Sequence, residues 1–105
     1  MIYTKAKITK SIRDILVRNG YKVISMGDNR KLRKGQRAFV DIFAMGGGKL
    51  VFFEVKTKDT NDKLSEDQQD TMERLILAMK YNRLVYYAVV DEDNYTDHLA
   101  RVFEL

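Results

Sequence analysis

Residues 39–57 read FVDIFAMGGGKLVFFEVKT. They spell two strands, Ala38 to Met45 and Lys49 to Thr57, with Gly46, Gly47 and Gly48 between them. Glycine takes the positive φ angles of a tight hairpin turn without steric penalty. Both strands are apolar at nearly every position, the pattern of strands covered on both faces in the centre of an α/β sheet. Three charges interrupt this pattern: Asp41, Glu54 and Lys56. An unpartnered buried charge is strongly unfavourable, so these three need an explanation, and a divalent cation supplies one.

The pleat decides which of them meet. Side chains alternate between faces, so Phe52, Glu54 and Lys56 point one way and Val51, Phe53 and Val55 the other. With the right register, Asp41 on the first strand lies beside Glu54. Two neighbouring carboxylates repel unless a proton or a cation lies between them. One or two carboxylates completed by water and substrate phosphate suit Mg²⁺, which activates water and polarises a phosphoryl oxygen. Lys56 is placed to stabilise the negative charge of a transition state.

The remaining chain sets limits. Its 105 residues suffice for one domain, residues 1–105, with one core. Nineteen Lys and Arg against fifteen Asp and Glu give a net charge of +4, which favours a polyanionic partner. There is no cysteine, which excludes disulfides, thiolate metal sites and a cysteine nucleophile. No apolar run approaches a membrane span and no signal-peptide pattern opens the chain, so a cytoplasmic protein is expected, including one made by a virus in its host. P-loop, dinucleotide and nucleophile-elbow motifs are absent.

Met1 to Asn19 reads as an amphipathic helix with Ile8, Ile12, Ile15 and Leu16 on its apolar face, Lys5, Lys7, Lys10 and Arg13 over the rest, and Gly20 as its stop. Tyr21 to Met26 is a short strand. The next segment carries Arg30, Lys31, Arg33, Lys34 and Arg37 between Gly27 and the Asp41 strand. If all five meet phosphates, binding weakens with salt at a log–log slope of about −4.5; otherwise they are a solvated charge run. After Thr57 the polar loop 58–63 begins, where Lys58 is a candidate backbone contact. Ser65 opens the second helix, and Ser65-x-x-Gln68 is a capping box. The helix period also puts Gln68 on one stripe with Met72, Leu75 and Met79, three expected core residues, so that Gln68 points towards Glu54 and Lys56. Leu84 to Val90 is a further buried strand. Asp91-Glu92-Asp93-Asn94 is a solvated turn or, less readily, a second metal site. Tyr95 to Leu105 fits a helix, while Ala100 to Leu105 equally fits a strand. His98, the lone histidine, is read as a surface or packing residue. The fold class is therefore α/β, one domain with a mixed central sheet flanked by helices.

Asp41 followed by Glu54-Val55-Lys56 resembles the PD-(D/E)XK nuclease superfamily, with Val40 where a proline usually stands. Leu64-Ser65-Glu66-Asp67-Gln68 is similar to the L-S-x-x-Q segment of its VRR-NUC branch. The order of elements resembles the archaeal Holliday-junction resolvases, and the likeness covers roughly Ile8 to Val90. This resemblance implies a restriction-endonuclease-like core. It also implies Mg²⁺ or Mn²⁺ held by Asp41, Glu54 and the backbone carbonyl of Val55, with Lys56 and Gln68 as catalytic partners. It implies a homodimeric endonuclease acting on branched DNA, in repair or recombination. Related nucleases often carry a glutamate ligand on the first helix; here the candidate positions hold Lys7, Lys10 or Ser11, and the helix's one acid, Asp14, comes too late. The alternatives are a non-catalytic nucleic-acid-binding domain on the same fold, or a structural subunit whose hairpin charges lie at the surface.

Overall fold

Gly47 and Gly48 make the central turn, with φ of 58° and 79°, in a computed structural model that describes residues 4–25, 40–58 and 64–105. Two successive positive φ angles define the tight hairpin whose twist matches that of its strands. Gly46 does not belong to this turn. It ends the first hairpin strand and pairs with Lys49, and a Cβ there would come within 2.7 Å of the Tyr21 ring. Its glycine therefore serves packing rather than a turn conformation.

The elements in chain order are α1 (Lys5–Arg18), β1 (Lys22–Ser25), β2 (Ile42–Gly46), β3 (Lys49–Val55), α2 (Glu66–Tyr81), β4 (Val85–Val90) and α3 (Tyr95–Glu104). One open sheet runs β1-β2-β3-β4. The first two pairings are antiparallel and β3 pairs β4 in parallel through the α2 crossover. The chain is thus one α/β unit with a mixed sheet between helices.

Several boundaries differ from the sequence reading. Thr4 is extended and caps α1 by accepting a hydrogen bond from the Lys7 N–H, so the helix starts at Lys5; Met1 to Tyr3 lie outside the described residues. Asp41 forms a bend before β2, and β3 ends at Val55. Ala38, Phe39 and Met26 lie outside the described residues, as do Arg30, Lys31, Arg33, Lys34 and Arg37. Residues 95–104 are helical, because Leu99 and Val102 bury one face against the sheet and α1. No described helix is long and apolar enough to cross a membrane.

The alternation expected along β3 is present. Val51, Phe53 and Val55 enter a core with Ile8, Ile12 and Leu16 of α1 and Leu99 and Val102 of α3. Phe52 enters a second cluster with Val40 and Tyr87, against which Met72 and Leu75 of α2 pack. α2 contributes no fully buried residue, which corrects the expectation that Met72, Leu75 and Met79 are core. They lie partly covered against one edge of the sheet, and the Met79 sulfur accepts a hydrogen bond from the Tyr87 N–H at 3.4 Å.

Candidate functional site

The hairpin register assembles the site. Ile42 pairs with Phe53 and Phe43 with Phe52, so continuing the ladder by one residue sets Asp41 against Glu54. The pleat puts Asp41 and Phe43 on the same face as Glu54 and Phe52. The two phenylalanines form a stacked floor, 4.9 Å between centroids and 17° between planes. Above them the two acids are buried, Asp41 8% and Glu54 2% exposed. The carboxyl groups are close enough to hydrogen-bond each other.

Asp41 ends the β2–β3 ladder with its own side chain. Oδ2 accepts the Val55 N–H at 2.8 Å, in a place where a strand backbone would otherwise supply a carbonyl. Oδ1 lies 3.1 Å from Lys5 Nζ at the start of α1. Val55 thus joins the site through its N–H.

Glu54 is held by Gln68, whose Nε2 donates to Oε1 at 3.1 Å. Both placements read for Gln68, in the capping box and facing Glu54, coexist. Its Oε1 accepts the Ser65 N–H at 3.0 Å, and its own N–H donates to Ser65 Oγ at 3.1 Å, completing the capping box. The box locks the amide so that Nε2 faces Glu54. Lys56 follows the end of β3, its N–H continuing the parallel ladder to Val90 O at 2.9 Å. Its Nζ lies 3.5 Å from Gln68 Oε1, at the limit of a hydrogen bond. Asp41, Glu54, Lys56 and Gln68, scattered over 28 positions, therefore meet in one cluster.

The electrostatics follow from this burial. The Glu54 carboxyl is pushed up to about 8, first by desolvation and then by the hydrogen bond and negative charge of Asp41; Lys5 and Lys56 oppose the rise. The buried phenol of Tyr87 is pushed up to about 12 by desolvation and by the charges of Glu54 and Asp41. Tyr87 is thereby kept as a neutral wall of the site.

Sequence reasoning did not single out Tyr87 or Lys5. The alternation of β4 puts Tyr87 beside Phe52, but only the parallel register shows it. Lys5 is the α1 residue that reaches Asp41, not Lys7, Lys10 or Ser11, and Asp14 pairs instead with Lys10 at 3.8 Å.

Two further residues have separate surroundings. The Lys58 ammonium is bound by Asp93 and its N–H donates to Glu92 Oε1 at 2.9 Å. Asp91 Oδ1 accepts the N–H groups of Asp93 and Asn94. The acidic turn is therefore a clasp on the segment leaving β3. His98 packs as expected, its Nδ1 2.6 Å from the Tyr86 hydroxyl.

The residues fit a hard divalent ion. Two adjacent carboxyl groups, one kept protonated near neutral pH by burial and by its neighbour, form an oxygen donor pair that a cation would stabilise. Among the described residues no third Asp, Glu, His or Cys joins them, leaving the remaining positions to water, backbone carbonyl and phosphate. Compared with known proteins, the chain matches no family model and no curated protein sequence.

Proposed function

We propose that the chain is a Mg²⁺- or Mn²⁺-dependent endonuclease that hydrolyses DNA phosphodiester bonds. The observation that carries this reading is the buried Asp41–Glu54 pair with Gln68 and Lys56 against it. A structural hairpin has no need of two facing acids in a buried rung.

Asp41 and Glu54, with the Val55 carbonyl, would hold the ion. When bound, the ion supplies a Lewis acid for the phosphoryl oxygen and a water that ionises near neutral pH. Glu54 must release its proton to serve as ligand, so ion binding is coupled to proton loss. Gln68 orients Glu54 through Nε2, and Lys56 offers its ammonium to charge developing on the phosphoryl oxygens. The water oxygen bonds phosphorus, one P–O ester bond breaks, and the leaving oxygen takes up a proton. Arg30, Lys31, Arg33, Lys34 and Arg37 directly precede the Asp41 segment and would hold flanking phosphates. Lys58 would join them after release from Asp93.

Branched DNA, a four-way junction or flap, is the favoured substrate, by resemblance to resolvases. A homodimer would set two such sites on opposed strands. The second reading, a DNA-binding domain without cleavage, is favoured by one observation: the Lys5 ammonium engages an Asp41 oxygen.

The test incubates the purified protein with linear, flapped and four-way DNA, with and without Mn²⁺. Asp41→Ala and Glu54→Ala should each reduce metal-dependent cleavage by about a thousandfold or more while DNA binding persists. Binding without cleavage under any metal would leave the second reading. Equal cutting of linear duplex and four-way DNA would remove the junction preference and retain a general nuclease.

A further inference from the structure

Apart from Lys5, the outward side of α1 lies outside the cluster just described. Lys5, Ala6, Thr9, Lys10 and Arg13 face Ser25 at the end of β1 and Asp41 across a cavity of about 610 Å³. A second hollow of about 460 Å³ continues along the helix past Lys10 and Arg13 to Arg18. Sharing Lys10 and Arg13, they form a trough with Asp41 of the acid pair at one end.

Four cations line this trough: Lys5, Lys10, Arg13 and Arg18. Apart from Asp41 at its head, the acid along its walls among the described residues is Asp14, 3.8 Å from Lys10. Among the described residues Arg13 has no acidic partner. Like charges grouped on one helix face repel, and such grouping gains stability from a polyanion laid against it. From Lys5 to Arg18 the helix rises about 20 Å, the rise of about six nucleotides of one strand at about 3.4 Å each. Lys5 stands where trough and acid pair meet, its exposed side chain able to serve Asp41 or a phosphate.

We propose that this α1 trough binds the phosphodiester backbone of a DNA strand whose neighbouring phosphate lies at the Asp41–Glu54 pair. The inference deepens the nuclease reading and rests on it for the direction of the strand. Lys10 and Arg13 contact successive phosphates, Ser25 offers a hydroxyl group, and Lys5 passes from Asp41 to the phosphate nearest the acids. The site reads charge and spacing and carries no base specificity, because its lining offers the backbone cations and a serine hydroxyl.

The experiment measures binding of the full chain to labelled duplex and four-way DNA by fluorescence anisotropy, across a salt series and without divalent metal. Lys10→Gln with Arg13→Gln should lower the log–log salt slope by about 1.8, two phosphate contacts' worth for duplex DNA. Lys10→Arg with Arg13→Lys should retain the slope. Lys80→Gln with Arg83→Gln, at the far end of α2, should match the unchanged protein. Lys10 and Arg13 are exposed, and circular dichroism verifies that each variant is folded.

A slope unchanged in the double Gln variant overturns the trough. Equal binding of polyglutamate also overturns it, leaving a general attraction for polyanions. Cleavage in Mn²⁺ is measured on the same samples. A lowered slope in a protein that never cuts DNA keeps the trough and removes the nuclease. Cutting with an unchanged slope does the reverse, and no DNA binding at all removes both.

Discussion

The two faces of the sheet are built differently. On one, α1 and α3 close over β2, β3 and β4 with Ile8, Ile12, Leu16, Leu99 and Val102, none more than 3% exposed. On the other, α2 leans on β4 and buries no side chain fully, with Ile76 45% and Leu77 57% exposed. Glu54, Lys56 and Gln68 gather at the end of this second face. A sealed core excludes water and ions. A half-covered layer admits them while a capping box and two stacked rings keep the polar groups in place. The difference teaches that the sealed core and the polar cluster lie on opposite sides of one hairpin.

The sharpest way to break this comparison is to cut a large side chain from each face. Phe53, fully buried and packed edge-on to Tyr86, should lose about 3–5 kcal/mol on substitution by Ala. Leu75→Ala, on the half-covered side, should lose about 1–2 kcal/mol, since it leaves solvent-accessible space rather than a sealed void. Urea unfolding measures both, and equal losses would mean that the second face is as closed as the first.

A proton sharpens it next. Glu54 is raised from 4.5 to about 8 in the folded chain. Between those values the native state holds a proton that the unfolded state has released, so stability in the absence of divalent metal falls as pH rises through this window. The full contribution is present below the unfolded value and is gone above about pH 8. Melting temperature should drop by about 5 °C or more across the window, and Glu54→Gln should flatten that decline. A wild-type profile that rises instead would show that Glu54 is not the buried acid described.

The smallest effect concerns Lys5. Its ammonium already neutralises Asp41 at 3.1 Å, so it competes with any metal ion there. Lys5→Gln should tighten Mn²⁺ binding by about threefold to tenfold, about 1 kcal/mol, in calorimetry without DNA. Unchanged or weaker binding would show that Lys5 and the ion do not share the carboxylate.

Much of the site was legible because it is local. The pleat's period of two put Asp41 and Glu54 within reach of each other, but the register stayed open, because three glycines in a row do not say which of them make the turn; the structure uses Gly47 and Gly48 and pairs Gly46 with Lys49. Gln68 was legible in both roles, since a capping box and a helix stripe are each read within four residues. The terminal segment was not, because the 95–105 pattern satisfies helix and strand until α1 and the sheet offer Leu99 and Val102 a common surface. Nor was α2's shallow seat: an apolar stripe shows which side turns inward but not how far it sinks.

The amino-acid order by itself determined the hairpin, the three charges that interrupt it and the cap that holds Gln68, all features of near neighbours along the chain or across one turn. Tertiary structure alone decided that Lys5 occupies Asp41's second oxygen, that Tyr87 walls the pair, and that Asp93 holds Lys58. Those contacts depend on how helices and strands distant in sequence are set against the sheet, and that placement is chosen by the summed packing of the whole core rather than by any local pattern.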